Sequence, residues 1–145
     1  MAMNLCPHIN FGGNCREAFH FYEKCLGGEL KTMLAWGDSP IAKDVPPEWH
    51  DKICHATLTV GASELAGVDD PFEPYEPPKG FQVLLEVDHA DEAYQVFNTL
   101  SDSGTVLVPI HSTFWSSGYG IVVDRFSVRW EVSCHQPAPQ PQINT

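Results

Sequence analysis

The stretch Asn14 to Gly28, NCREAFHFYEKCLGG, decides the fold, because it reads as one complete helix with both ends marked. Asn14 stands at the N-cap place with Glu17 three residues on, the pattern of a capping box. Ala18, Phe19, Tyr22, Cys25 and Leu26 recur at three- and four-residue spacing and predict a buried stripe. Gly27 and Gly28 end the helix, since Gly tolerates the left-handed C-cap conformation. The same letters return about half a chain later, where Glu92-Ala93-Tyr94 and Phe97 match Glu17-Ala18-Phe19 and Tyr22. A repeat of this length, inside a repeated order of elements, points to an internal duplication.

Working outward, residues 5–11 alternate as a strand does, 29–36 predict a second strand, and a loop containing Pro and acidic residues runs to Asp51. Residues 52–60 and 63–68 read as a hairpin about Gly61-Ala62. The second half repeats this order with a strand at 81–87, a helix over 91–102 and strands near 105–110, 118–123 and 128–134. Ala93, Val96, Phe97 and Leu100 form the second helix's stripe, and Gly104 follows it. The expectation is an α+β chain of two strand–helix–three-strand units in one domain, residues 1–135. Module one covers about 5–68 and module two about 80–134. The segment 69–79, rich in Pro, is a stiff crossover, and 136–145 reads as a flexible tail.

The chain has 145 residues, 43% of them apolar and 19% charged, and a formal charge of −11. Such a field repels phosphate backbones and anionic lipid, and the eight Lys and Arg form no cluster, so no nucleic-acid partner is expected. No apolar run approaches the length of a membrane span, and nothing at the N-terminus marks export, so a cytoplasmic location is expected. The five cysteines, Cys6, Cys15, Cys25, Cys54 and Cys134, are odd in number and lack C-x-x-C spacing. They read as thiols rather than a disulfide framework or a thiolate zinc site.

Four ordered stretches carry a family likeness. They are Pro7-His8-Ile9-Asn10-Phe11 with Gly13-Asn14, Glu17-Ala18 and Phe21-Tyr22; Ile53-Cys54-His55-Ala56; Tyr75-Glu76-Pro77-Pro78 with Gly80-Phe81; and Thr113-Phe114-Trp115, Gly118-Tyr119-Gly120, Asp124-Arg125-Phe126 and Trp130. In these the chain resembles the PhnB-like branch of the glyoxalase/bleomycin-resistance/dioxygenase (vicinal oxygen chelate) superfamily. The resemblance implies paired βαβββ modules, two curved half-barrels around a cavity, and a homodimer. Some members of that branch carry the label of 3-demethylubiquinone-9 3-methyltransferase. Here no Gly-rich strand–helix turn of the kind a nucleotide-like cofactor needs is present, so methyl transfer ranks last.

The superfamily pattern puts metal ligands on the first and last strand of each module. By that resemblance Glu131 takes the last-strand place in module two and Glu64, in Glu64-Leu65-Ala66, the matching place in module one. Gln82 takes the first-strand place of module two. In module one the count gives Cys6, with His8 and Asn10 on the same face, and leaves either Cys6 or His8 as the ligand. A set of carboxylates, an amide oxygen and an imidazole suits Ni, Co, Mn, Fe or Zn, and a site with no metal is the equal alternative. His55 reads either as a core histidine or as a proton donor in the cavity wall, the place where the branch carries a histidine. Cys6, Asn10, Phe114 and Trp115 are the candidate ligand-cavity residues, the last two as an apolar lid.

Two functions follow. One is a metal-dependent lyase, isomerase or dioxygenase acting on a small oxygenated substrate. The other is a non-catalytic module that binds or sequesters a small molecule, as drug-binding resistance proteins do. Strand alternation further predicts that Trp130 and Val132 face the helix while Glu131 faces the opposite side with Arg129 and Ser133, sharing that space with Gln82.

Overall fold

The computed structural model describes residues 2–134, so the expected tail at 136–145 lies outside the described residues. The chain divides into two compact units, Met1–Pro78 and Lys79–Thr145. In the first, β1 (His8–Phe11), α1 (Cys15–Leu26), β2 (Glu29–Ala35), β3 (Ile53–Val60) and β4 (Ser63–Asp69) follow in order. Three short 3-10 turns, at Trp36–Asp38, Ala42–Asp44 and Pro47–Trp49, fill the connection between β2 and β3. The second unit repeats the order with β5 (Val83–Val87), α2 (Ala90–Leu100), β6 (Thr105–His111), β7 (Tyr119–Val123) and β8 (Arg129–Cys134).

Each unit forms one four-stranded sheet, in the order β1-β4-β3-β2 or β5-β8-β7-β6. The first strand of each unit runs parallel to the last and the other neighbours are antiparallel. The expected α+β order of two strand–helix–three-strand units is the observed one. Both first strands start later than the alternation suggests, so Cys6 and Gln82 precede β1 and β5 rather than lying within them.

The core of each unit lies between helix and sheet. Cys15, Ala18, Phe19, Tyr22 and Cys25 are the buried residues of α1, and Gly67 of β4 lies beneath the Phe19 ring. A Cβ added at Gly67 would come within 2.4 Å of that ring, so only glycine permits the helix to settle here. In α2 the buried residues are Ala93, Phe97 and Leu100, with Val96 half-buried at the margin.

One expectation fails at the start of α1. Asn14 makes no capping hydrogen bond with its side chain. The donors there are met by Asp69, at the far end of β4, whose Oδ1 accepts from Gly13 N at 2.9 Å and Cys15 N at 3.1 Å. Its Oδ2 accepts from Ile53 N at 2.9 Å, and its backbone oxygen accepts from Trp36 Nε1 at 2.6 Å. A buried carboxylate that accepts three backbone N–H groups outcompetes a neighbouring amide side chain, because charge-assisted hydrogen bonds are the stronger kind. Asp124 does similar work in the second unit, accepting from Phe126 N, Val128 N and Trp130 Nε1. The turn it organises carries Ser127 at φ 72°, a left-handed conformation.

Candidate functional site

In the second unit Trp130, Val132 and Cys134 are buried, and Gly120 of β7 faces the Phe97 ring of α2. Alternation then sends Arg129, Glu131 and Ser133 to the opposite face. The register sets Ile121 beside Glu131 and Tyr119 beside Ser133 on that face, and β5 adds Leu84 and Glu86. Glu131 is half-buried there.

A chain of polar side chains crosses this face. Gln82 donates from Nε2 to Glu131 Oε2, and its Oε1 accepts from Arg129 Nε at 2.8 Å. The expected proximity of Gln82 and Glu131 is therefore present, and the guanidinium meets the carboxylate through the amide between them. Tyr119 closes the other side. Its phenol is held above the ordinary tyrosine range, first by burial and then by the charge and hydrogen bonding of Glu131, with Arg129 opposing.

Aromatic rings continue from Tyr119. Its ring meets Trp115 edge-on at 5.2 Å, Trp115 meets Phe114 at 4.7 Å, and His111 approaches Tyr119 at 6.4 Å on another side. Phe114 and Trp115 are exposed, at 67% and 41%, yet the backbone that carries them is tightly held. Thr113 N donates to Ser116 O at 2.7 Å, and Thr113 Oγ1 accepts from Trp115 N and Ser116 N. The buried Ser116 hydroxyl accepts from Gly118 N and Cys134 N, both at 3.1 Å, and so ties this turn to the end of β8.

In the first unit His8 and Asn10 lie on the face turned away from α1, with Ala66 and Val68 beside them. His55 shares that face, its ring edge-on to His8 at 6.1 Å. Glu64 has the same sense of alternation but sits exposed near the hairpin turn, and Cys6 is exposed before the strand. The register also bears on how the modules match. Counting back from the last paired residues, Phe11 with Asp69 and Val87 with Cys134, His8–Ala66 corresponds to Leu84–Glu131. Ala66 is thus the positional partner of Glu131, while Glu64 corresponds to Arg129. Among the described residues no group of three His, Cys, Asp or Glu side chains is placed to hold a metal ion.

A separate cleft of about 390 Å³ opens in the first unit between Asn10 and the segment from Asp70 to Glu76. Tyr75 forms one wall and lies against Gly12, where a Cβ would come within 2.9 Å of the ring. Trp36 is buried and donates to the Asp69 backbone oxygen. Burial raises Cys15 strongly and Cys54 also, so neither thiol is an activated nucleophile.

Tyr119, Thr113 and Ser116 were not singled out as site residues from the sequence. Gly118-Tyr119-Gly120 holds the usable signal, since two small residues flanking a lone aromatic in a strand leave that ring on the face opposite the helix.

The family model described as Glyoxalase/Bleomycin resistance protein/Dioxygenase superfamily matches residues 7–132. Protein YjdN of Escherichia coli (strain K12) is 28% identical over 145 residues, covering 94% of this chain and 99% of that protein. The crystal structure of protein PA1353 from Pseudomonas aeruginosa superposes with a TM-score of 0.86 at 45% identity, covering 93% of this chain and 99% of that one. A putative 3-demethylubiquinone-9 3-methyltransferase, PhnB protein, from Bacillus cereus shares the fold at a TM-score of 0.74 and 20% identity, with 91% and 99% covered.

Proposed function

Because the chain belongs to the glyoxalase/bleomycin resistance protein/dioxygenase superfamily, we propose that it is a small-molecule-binding, glyoxalase-like protein whose ligand site is the face of the second unit turned away from α2. One observation carries this: a half-buried carboxylate, oriented by Gln82, lies beside a continuous row of rings formed by Tyr119, Trp115 and Phe114. An apolar wall with a few oriented polar groups is the usual make-up of a ligand site. The cleft beside Tyr75 supports the same role less well, because its carboxylates, Asp70, Glu73 and Glu76, all belong to one loop.

The test is a screen of small organic compounds by ligand-observed NMR against the wild type and Trp115→Ala. Compounds that bind the wild type should lose most of their signal with the variant. Hits that bind both proteins equally would move the site elsewhere.

Many relatives use a divalent metal, and Glu131 on a last strand is the observation that favours a metal-dependent lyase, isomerase or dioxygenase as a second reading. In that version Glu131, Glu64, Gln82 and His8 supply ligands and His55 moves a proton. The donor set as arranged does not fit: Gln82 turns its NH2 group toward Glu131 and commits its only ligating oxygen to Arg129. Elemental analysis of protein purified without chelator or affinity tag separates the two readings. Less than stoichiometric Ni, Co, Mn, Fe or Zn supports the binding module, and a stoichiometric metal supports the enzyme.

A homodimer accompanies this proposal. The sheet edges β5 and β6 expose Leu84, Val106 and Leu107 at 51%, 43% and 45%, apolar surface that a second copy would cover. Light scattering that gives a monomer mass at every concentration would contradict it.

A further inference from the structure

The site on the second unit combines two features that together recognise one class of ligand. Glu131 brings a carboxylate already engaged by Gln82 and by the Tyr119 phenol, and since a carboxylate accepts about four hydrogen bonds, capacity remains for a ligand. Tyr119 brings an aromatic ring beside it, and Trp115 and Phe114 continue the row of rings from Tyr119. Aromatic faces next to a fixed negative charge attract alkylated ammonium groups, through the ring quadrupole and through Coulomb attraction. An anionic or purely apolar ligand would gain from the rings but would have to leave the carboxylate uncompensated.

The charges around the site agree. Glu86 lies on the same face beside Ser133, and the whole chain carries −11. Arg129 is the one opposing charge on this face of β8; its Nε is engaged by the Gln82 oxygen, and its effect on the Tyr119 phenol is outweighed by that of Glu131. We propose that this face takes small organic cations, quaternary or alkylated ammonium groups, seated between the Glu131 carboxylate and the rings of Tyr119 and Trp115. The proposal rests on the reading that this face is the small-molecule site and adds the ligand's chemical class.

Choline and 3,3-dimethylbutan-1-ol test it, because they share one shape and differ by a positive charge. Each is titrated into the full chain and followed through the Trp115 indole N–H by NMR. Choline should bind about tenfold more tightly than the alcohol. Glu131→Gln keeps an acceptor for Gln82 and should bring the two affinities close to equal, and Trp115→Ala should weaken choline by a similar factor. Equal binding of the two compounds by the wild type overturns the cation class and leaves the small-molecule site standing. A preference for choline that survives Glu131→Gln, or choline shifts that gather at Tyr75 instead, overturns the seat between Glu131 and the rings. If neither compound moves Trp115 while hits from the compound screen do, the cation class again fails alone; if those also leave Trp115 unmoved, both readings fail.

Discussion

Gln82 turns the NH2 end of its amide, not its oxygen, toward the Glu131 carboxylate, and Arg129 fixes that orientation by donating to Oε1 at 2.8 Å. The amide thereby converts a cation and an anion on one strand into a directed relay. Direct pairing of Arg129 with Glu131 would have neutralised the carboxylate; the relay keeps it aimed at Tyr119, on the next strand.

That arrangement makes Tyr119 a reporter of the site. Its phenol is raised by burial and then by Glu131, so Glu131→Gln should lower its pKa toward the ordinary value while burial keeps it somewhat high. A phenol raised in the folded state stabilises the fold fully below the unfolded value of about 10, and this contribution is lost as pH rises through the folded value. Stability should therefore fall more steeply above about pH 10 in the wild type than in Tyr119→Phe. An ultraviolet difference titration checks the first point and urea unfolding at alkaline pH the second. An unchanged Tyr119 titration in Glu131→Gln would contradict the contact.

Asp69→Ala should be among the most destabilising changes in the first unit. The side chain is 1% exposed and accepts from Gly13, Cys15 and Ile53. Its loss leaves three backbone donors unmet, at a cost of about 3–5 kcal/mol. Urea unfolding that shows a loss below about 1 kcal/mol would mean that water or Asn14 replaces it.

Ser127→Gly should stabilise the protein. Ser127 holds φ 72°, where a Cβ is penalised and glycine is not. After the extra chain entropy of glycine is subtracted, a gain of about 0.5–1 kcal/mol remains, visible as a higher Tm. A lower Tm would show that the serine side chain supports the turn.

The element order was legible because both helices carry amphipathic stripes and the first unit's hairpin carries a local turn signal at Gly61-Ala62. Alternation also predicted that Glu131 and Trp130 part to opposite faces, since a strand's period is fixed. What could not be read was long-range. The cap of α1 comes from Asp69, more than fifty residues away in sequence, and no local pattern distinguishes it from Asn14. Counted from the paired ends of the strands, Glu131 corresponds to Ala66 and not to Glu64, an offset of two residues. Alternation fixes the face of a side chain but not its register along the strand, and a slip of two residues leaves the face unchanged. The rings at Trp115 were visible as an apolar loop, whereas their placement depends on Ser116 reaching the end of β8.

The most direct test of the account is a crystal structure of the protein grown with the tightest compound from the screen. Ligand density against the Trp115 and Tyr119 rings, with a polar or cationic group toward Glu131, is the predicted result. Density in the cleft beside Tyr75 and Asn10, with the face around Glu131 carrying solvent alone, would contradict it.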